Sequence, residues 1–175
     1  MTPEFSRTER VDTIGERARD VRIEATAAEC AALAERFGLI AVEALAAELT
    51  LRREAGGITA RGQVRALVQQ ACVVTGEPVE TRIDEAVALR FVADQDETEE
   101  EIELDADDLD TIAIEGGAID LGEAAAETMA LALDPFPRAP GAAEALRDAG
   151  VMTEEEARPA GPLAGLAAVL GGKKD

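Results

Sequence analysis

Ile58-Thr59-Ala60-Arg61-Gly62-Gln63-Val64-Arg65-Ala66-Leu67-Val68-Gln69-Gln70-Ala71-Cys72 runs through Val73-Val74-Thr75-Gly76-Glu77-Pro78 into Val79-Glu80-Thr81-Arg82-Ile83-Asp84-Glu85-Ala86-Val87-Ala88-Leu89-Arg90-Phe91. Apolar and polar residues alternate on both sides of the middle stretch. Ile58, Ala60, Gly62, Val64, Ala66 and Val68 share one face of the first run, and Thr59, Arg61, Gln63, Arg65 and Gln69 share the other. In the second run Val79, Ile83, Val87, Leu89 and Phe91 lie opposite Glu80, Arg82, Asp84 and Arg90. A period of two is the signature of a half-buried strand, and Thr75-Gly76-Glu77-Pro78 supplies turn residues. The stretch predicts a β-hairpin. Pairing Cys72 with Val79 puts both apolar faces on one side, and it sets Arg61 opposite Arg90 and Gln69 opposite Arg82. A slip of one residue would turn one strand inside out.

Upstream of the hairpin, Glu54-Ala55-Gly56-Gly57 reads as a turn. Leu39 to Arg53 is ambiguous. Its Ala- and Glu-rich first half favours helix by propensity, while Leu45, Ala47, Leu49 and Leu51 alternate with polar residues and predict strand for the second half. Thr26-Ala27-Ala28-Glu29 fits a capping box. Cys30, Leu33, Ala34 and Phe37 follow at helical spacing, and Gly38 can supply a left-handed cap, so residues 26–37 are expected to be a helix. Val21, Ile23 and Ala25 suit a short strand, and Glu4 to Ile14 is a candidate first strand.

Downstream, Asp94 to Asp110 holds 11 acids in 17 residues. Self-repulsion and few bulky apolar groups predict a loop or arm there. Thr111 to Glu115 reads as a short strand, Gly116-Gly117 as a turn, and Asp120 with Glu123 as a second helix start. Leu121, Ala125, Met129, Ala132 and Leu133 trace a helical stripe that Pro135 ends. Phe136 to Pro140 reads as extended and Ala142 to Ala149 as a short helix, and Leu163, Leu166 and Leu170 lie on one side of a docking helix. The expected fold class is α+β: a mainly antiparallel sheet packed with a few helices, an acidic loop or arm, and a helical C-terminal segment. Residues 1–137 are expected to form one domain with the acidic loop at about 94–110, and 138–175 a C-terminal extension with short helices.

The net charge of −20 is unevenly spread. Residues 1–90 hold 12 basic and 15 acidic side chains, residues 91–137 hold 16 acids and no base, and residues 138–175 hold 5 basic and 6 acidic. Such a field repels nucleic acid and anionic lipid and attracts basic proteins. No stretch reaches the length of about 18 apolar residues that a membrane span needs, and Met1 to Arg10 has no apolar leader core. Two distant cysteines, Cys30 and Cys72, make no disulfide framework, so a reduced, cytoplasmic setting is expected.

No pattern points to catalysis. The chain has no histidine, so Cys72 has no imidazole base beside it, and two thiols fall short of a four-ligand zinc site. Both cysteines read best as small buried side chains. Asp105, Asp107 and Asp108 lack the glycine and terminal glutamate of a calcium loop, and no phosphate-binding glycine motif occurs. Four phenylalanines, with no Trp or Tyr, offer little for base stacking. The expectation is a protein that is not an enzyme and that has no cofactor, no metal and no small-molecule substrate. One positive feature stands out. Arg52, Arg53, Arg61, Arg65, Arg82 and Arg90 cluster on the hairpin and its approach, and arginine forks suit phosphates. The competing reading is a solvated sheet face on which these arginines pair with Glu48, Glu80 and Asp84.

Several stretches resemble the YceD family, described as large ribosomal RNA subunit accumulation proteins. They are the helix Ala27 to Phe37, the hairpin Val68-Gln69-Gln70-Ala71-Cys72-Val73-Val74-Thr75-Gly76-Glu77-Pro78-Val79, and the strand ending at Phe91 with its acidic break. They continue with Ile119-Asp120-Leu121-Gly122-Glu123, Ala132-Leu133-Asp134-Pro135-Phe136-Pro137 and Gly161-Pro162-Leu163-Ala164-Gly165-Leu166. Many family members carry Cys-x-x-Cys at the hairpin. Here Thr75 stands in place of the second thiol, so Cys72, Thr75, Glu77 and Pro78 form the family hairpin motif without a metal or disulfide pair. The resemblance implies a bacterial cytoplasmic factor that supports 23S rRNA levels. Arg61, Arg65, Arg82 and Arg90 are the candidate contacts to RNA or a partner. Expected partners are a large-subunit rRNA precursor or a basic ribosomal protein, with no membrane. The alternative is an acidic interaction module or nucleic-acid mimic unrelated to ribosomes.

Overall fold

A computed structural model describes residues 3–93, 110–114 and 116–152. The acidic stretch 94–109 and the expected helix around Leu163, Leu166 and Leu170 lie outside the described residues. The fold is α+β. Its centre is a five-stranded sheet in the order β2 (Arg19–Glu24), β3 (Ala41–Glu54), β4 (Gly57–Ala71), β5 (Pro78–Ala93) and β6 (Asp110–Ile114). Neighbours are antiparallel except β5 and β6, which run parallel. A two-stranded ribbon of β1 (Thr8–Arg10) and β7 (Ala118–Asp120) stands beside it. Helices α1 (Ala27–Phe37) and α2 (Leu121–Leu131) cover one face of the sheet.

That face is the core. Leu45, Leu51, Ile58, Ala60 and Val68 are fully buried under the helices, with Leu33 from α1 and Leu121, Ala126 and Met129 from α2. α1 forms where its sequence places it. The Thr26 hydroxyl accepts from the Glu29 N–H while the Glu29 carboxylate accepts from the Thr26 N–H, and Gly38 closes the helix at φ 65°. At α2 the Asp120 carboxylate accepts from the Gly122 and Glu123 N–H groups.

Three expectations are corrected. The whole of residues 41–54 is strand, although its first half has helical propensity. The register shifts between Val42 and Ala44. This irregularity puts Val42 and Leu45, three apart, both inside, so the strand continues without visible alternation. Glu4 to Ile14 is not one strand: only Thr8–Arg10 pairs, and Val11–Thr13 turns into a 3-10 helix. Arg53, expected in the arginine cluster, instead donates to the backbone carbonyls of Ile14 and Val11. It holds that turn and is not part of the outer face.

A polar clip fastens the N-terminal segment. Phe5 is fully buried, and the Arg7 guanidinium lies 4.7 Å from its ring centre. Arg7 binds both oxygens of Glu29, at 2.7 and 2.9 Å, and its N–H donates to Asp120 at 2.8 Å. Arg36 joins Glu4 and Glu123 at 2.9 and 2.6 Å. The Arg7 fork and the Thr26 N–H hold the Glu29 carboxyl down to about 2. A lowered carboxylate stabilises the fold above its unfolded value near 4.5 and loses that contribution as pH falls toward 2. Glu29→Gln is therefore expected to cost about 1 kcal/mol at pH 7, a value discounted for solvent screening. The gap to the parent chain should close between pH 4.5 and 2. Urea midpoints across that window check this; a gap that stays constant refutes it.

Candidate functional site

The hairpin forms with the apolar sides of both strands facing inward, but its register differs by two residues from the expectation. The tip is tight: the Cys72 N–H donates to the Glu77 carbonyl at 2.8 Å, and the Gly76 N–H to the Cys72 carbonyl at 2.9 Å, with Gly76 at φ 74°. Ala71 therefore pairs with Pro78 and Gln70 with Val79. A two-residue offset keeps every side chain on its face, which is why the alternation could not detect it. It changes the outer-face neighbours. Arg61 lies across from Ala88, Arg90 from Thr59, Arg82 from Leu67, and Gln69 from Glu80.

Of the family hairpin residues, Cys72 turns inward and Thr75, Glu77 and Pro78 are exposed. Cys72 is 3% exposed and packs with Ala139 and Ala142 in a small second core. Its sulfur accepts from the Ala139 N–H at 3.3 Å and from the Thr75 N–H at 3.4 Å. These donors, Ala139 first, bring the thiol down to about 6, whereas burial pushes the Cys30 thiol up. The Thr75 side chain also helps lower the thiol, and its hydroxyl donates to Glu77 at 3.2 Å. No set of three or more metal-ligating side chains occurs among the described residues.

The tip is also where the chain returns after α2. Gln70 donates to the Asp134 carbonyl at 2.8 Å and accepts from the Thr81 hydroxyl at 3.2 Å. The Val73 N–H donates to the Pro137 carbonyl at 2.9 Å. α3 (Ala142–Asp148) follows, its Ala142 against Cys72. Two stretches that carry the resemblance, Gln70 to Pro78 and Asp134 to Pro137, are thus one structural unit. Nothing in their sequences foretold the contact, because both ends of these bonds that belong to 134–139 are backbone atoms.

The arginines share the outer sheet face but differ in their company. Arg65 is held between Asp84 at 3.2 Å and Glu48 at 3.6 Å. Glu48 also reaches Arg22 at 3.6 Å, and Arg82 pairs with Glu80 at 3.4 Å. Arg61 and Arg90 have no ion pair among the described residues. Arg52 donates to the Glu16 carbonyl, and Arg90 bends over the turn at Gly56. The face is thus mixed in charge near the tip and cationic at the far end, where Arg52, Thr59 and Arg90 share a rung.

The family model described as large ribosomal RNA subunit accumulation protein YceD matches residues 60–169. That is more than half of the chain. The chain belongs to the YceD family. The match opens in β4 and takes in the hairpin, β6, α2 and α3, whereas β2, α1 and β3 lie ahead of it, the two strands completing the same sheet. The YceD family's description places the chain in the accumulation of large-subunit ribosomal RNA. No curated protein and no solved structure matches it. Among the described residues no helix is long and apolar enough to cross a membrane.

Proposed function

We propose that this YceD-family chain supports 23S rRNA accumulation as a non-enzymatic cytoplasmic factor that holds a basic ribosomal protein of the large subunit. The charge arrangement carries this reading. The net charge is −20, and two of the four candidate arginines, Arg65 and Arg82, already spend their charge on Glu48, Asp84 and Glu80. A field of that sign speeds encounter with a cationic protein and slows encounter with RNA. Binding a basic protein would shield it from non-specific contact with nucleic acid before assembly.

A second reading, direct contact with precursor RNA, draws on Arg61 and Arg90, which have no carboxylate partner among the described residues. One experiment separates the two. The purified chain is offered purified large-subunit ribosomal proteins and 23S precursor RNA at rising salt. Retention of a basic ribosomal protein at low salt, with the double reversal Arg61→Glu/Arg90→Glu leaving it unchanged, is the expected result. Retention of RNA alone, lost in that double variant while thermal unfolding is unaltered, sinks the first reading and supports the second.

A further inference from the structure

We propose that the edge of β5 that no described residue pairs and the last turn of α2 form a docking groove for an extended basic peptide segment, which adds a strand to the sheet. This rests on the reading of the chain as a holder of a basic protein and names where that partner is gripped.

β6 pairs with β5 only from Leu89 to Ala93. On that side of β5 nothing among the described residues pairs with Pro78 to Ala88, while β4 occupies the other side throughout. Backbone groups in an antiparallel ladder point alternately to either side. The bond from the Cys72 N–H to the Glu77 carbonyl sets the phase. Odd-numbered residues bond to β4, so Glu80, Arg82, Asp84, Ala86 and Ala88 turn their N–H and C=O groups to that edge. Pro78 falls in the same phase, at an outward position that needs no N–H. Folds commonly blunt such an edge with bulges, proline or charge. From Asp84 to Ala88 the register with β4 is unbroken, and alanine stands at two of the three outward positions.

A groove of about 320 Å³ runs between this edge and α2, lined by Glu85, Val87, Leu89, Thr128, Leu131 and Ala132 among others. Leu131 is 87% exposed, an apolar side chain on the rim of this groove. A sheet edge beside a helix is the geometry that accepts an added strand: the main chain supplies affinity and alternate side chains supply specificity.

Charge selects the occupant. Glu85 and Asp110 line the groove, and among the described residues no basic side chain does. Glu127 is exposed one turn ahead of Leu131. The last turn of α2 has no basic residue, so the partial negative charge of its terminal carbonyls is unopposed. Glu85 and Val87 point to the same side of the sheet, so an added strand in which a lysine or arginine and an aliphatic residue succeed one another at every second position satisfies both walls. Its cations meet Glu85, Asp110 and the helix end, and its aliphatics cover Leu131 and Val87.

The test uses the full chain and a synthetic peptide of repeating lysine-threonine-valine-threonine, which sets lysine and valine on one face, with a peptide of repeating glutamate-threonine-valine-threonine as control. Calorimetry is expected to show salt-sensitive binding of the basic peptide only. Hydrogen exchange should slow at the amides of Arg82, Asp84 and Ala86. Ala86→Pro removes one outward N–H and leaves the β4 ladder whole, and it is expected to weaken binding by about tenfold. Leu131→Ser, at a position too exposed to affect folding, should weaken it several-fold. Equal affinity in both variants, or protection elsewhere on the chain, overturns the groove. Slow exchange at those amides before peptide is added also overturns it, because the edge is then already covered. If wild type and Ala86→Pro retain a basic ribosomal protein equally, the groove fails while the holder reading stands. If the peptide binds the edge but no ribosomal protein is retained, the groove stands while that reading fails.

Discussion

Gly62→Val is expected to lower the unfolding free energy by about 3 kcal/mol and the melting temperature by about 10 °C. By propensity alone the change should help, since valine in a strand outranks glycine by about 1 kcal/mol. The close approach of β3 decides the sign. A Cβ on Gly62 would sit 1.9 Å from the Glu48 carbonyl oxygen and 2.9 Å from the Leu49 Cα. Both are backbone atoms of a strand laddered on two sides, so neither can yield without disturbing β2 and β4 together. Urea and thermal unfolding measure it. A Gly62→Val chain as stable as the parent would mean that the two strands lie farther apart at this rung.

Phe5→Ala is the second large effect, an expected loss of about 4 kcal/mol. Phe5 lies ahead of every strand and helix, yet no part of it is exposed. Gly122 makes room for its backbone, since a Cβ there would meet the Phe5 carbonyl oxygen at 2.5 Å. Asp120 then secures the segment by accepting from the Ser6 hydroxyl and the Arg7 N–H. Phe136→Ala serves as the contrast. That ring is 68% exposed, and its loss is expected to change stability by less than about 0.5 kcal/mol. Calorimetric melts of the two variants check the pair, and a mild Phe5→Ala would show that the N-terminal segment is not part of the core.

Local chemistry was legible wherever one residue type has one physical use. Thr26, Glu29 and Gly38 announced α1, and Asp120 with Glu123 announced the start of α2. Alternation announced β4 and β5 and their inward faces. The β3 irregularity hid half of its strand, because an extra residue erases the period that pattern reading needs. The role of Arg53 was hidden because its partners are backbone carbonyls, which carry no sequence signal. The arginine face was legible as a face, but not the division within it. Asp84 faces Arg65, whereas the expected register would have set Leu67 there, and a two-residue offset leaves the pattern of sides untouched.

Sequence by itself determined the α+β class, the hairpin, the capped helices, the family resemblance and the acidic field, all of which follow from composition or from neighbours a few residues apart. Tertiary structure alone decided the hairpin register, the packing of Cys72 against Ala139 and Ala142, the clip on Phe5 and the placing of the β5 edge beside Leu131. These depend on backbone groups and on contacts between residues distant along the chain. Backbone chemistry is the same at nearly every position, so the order of side chains does not encode where those groups will meet.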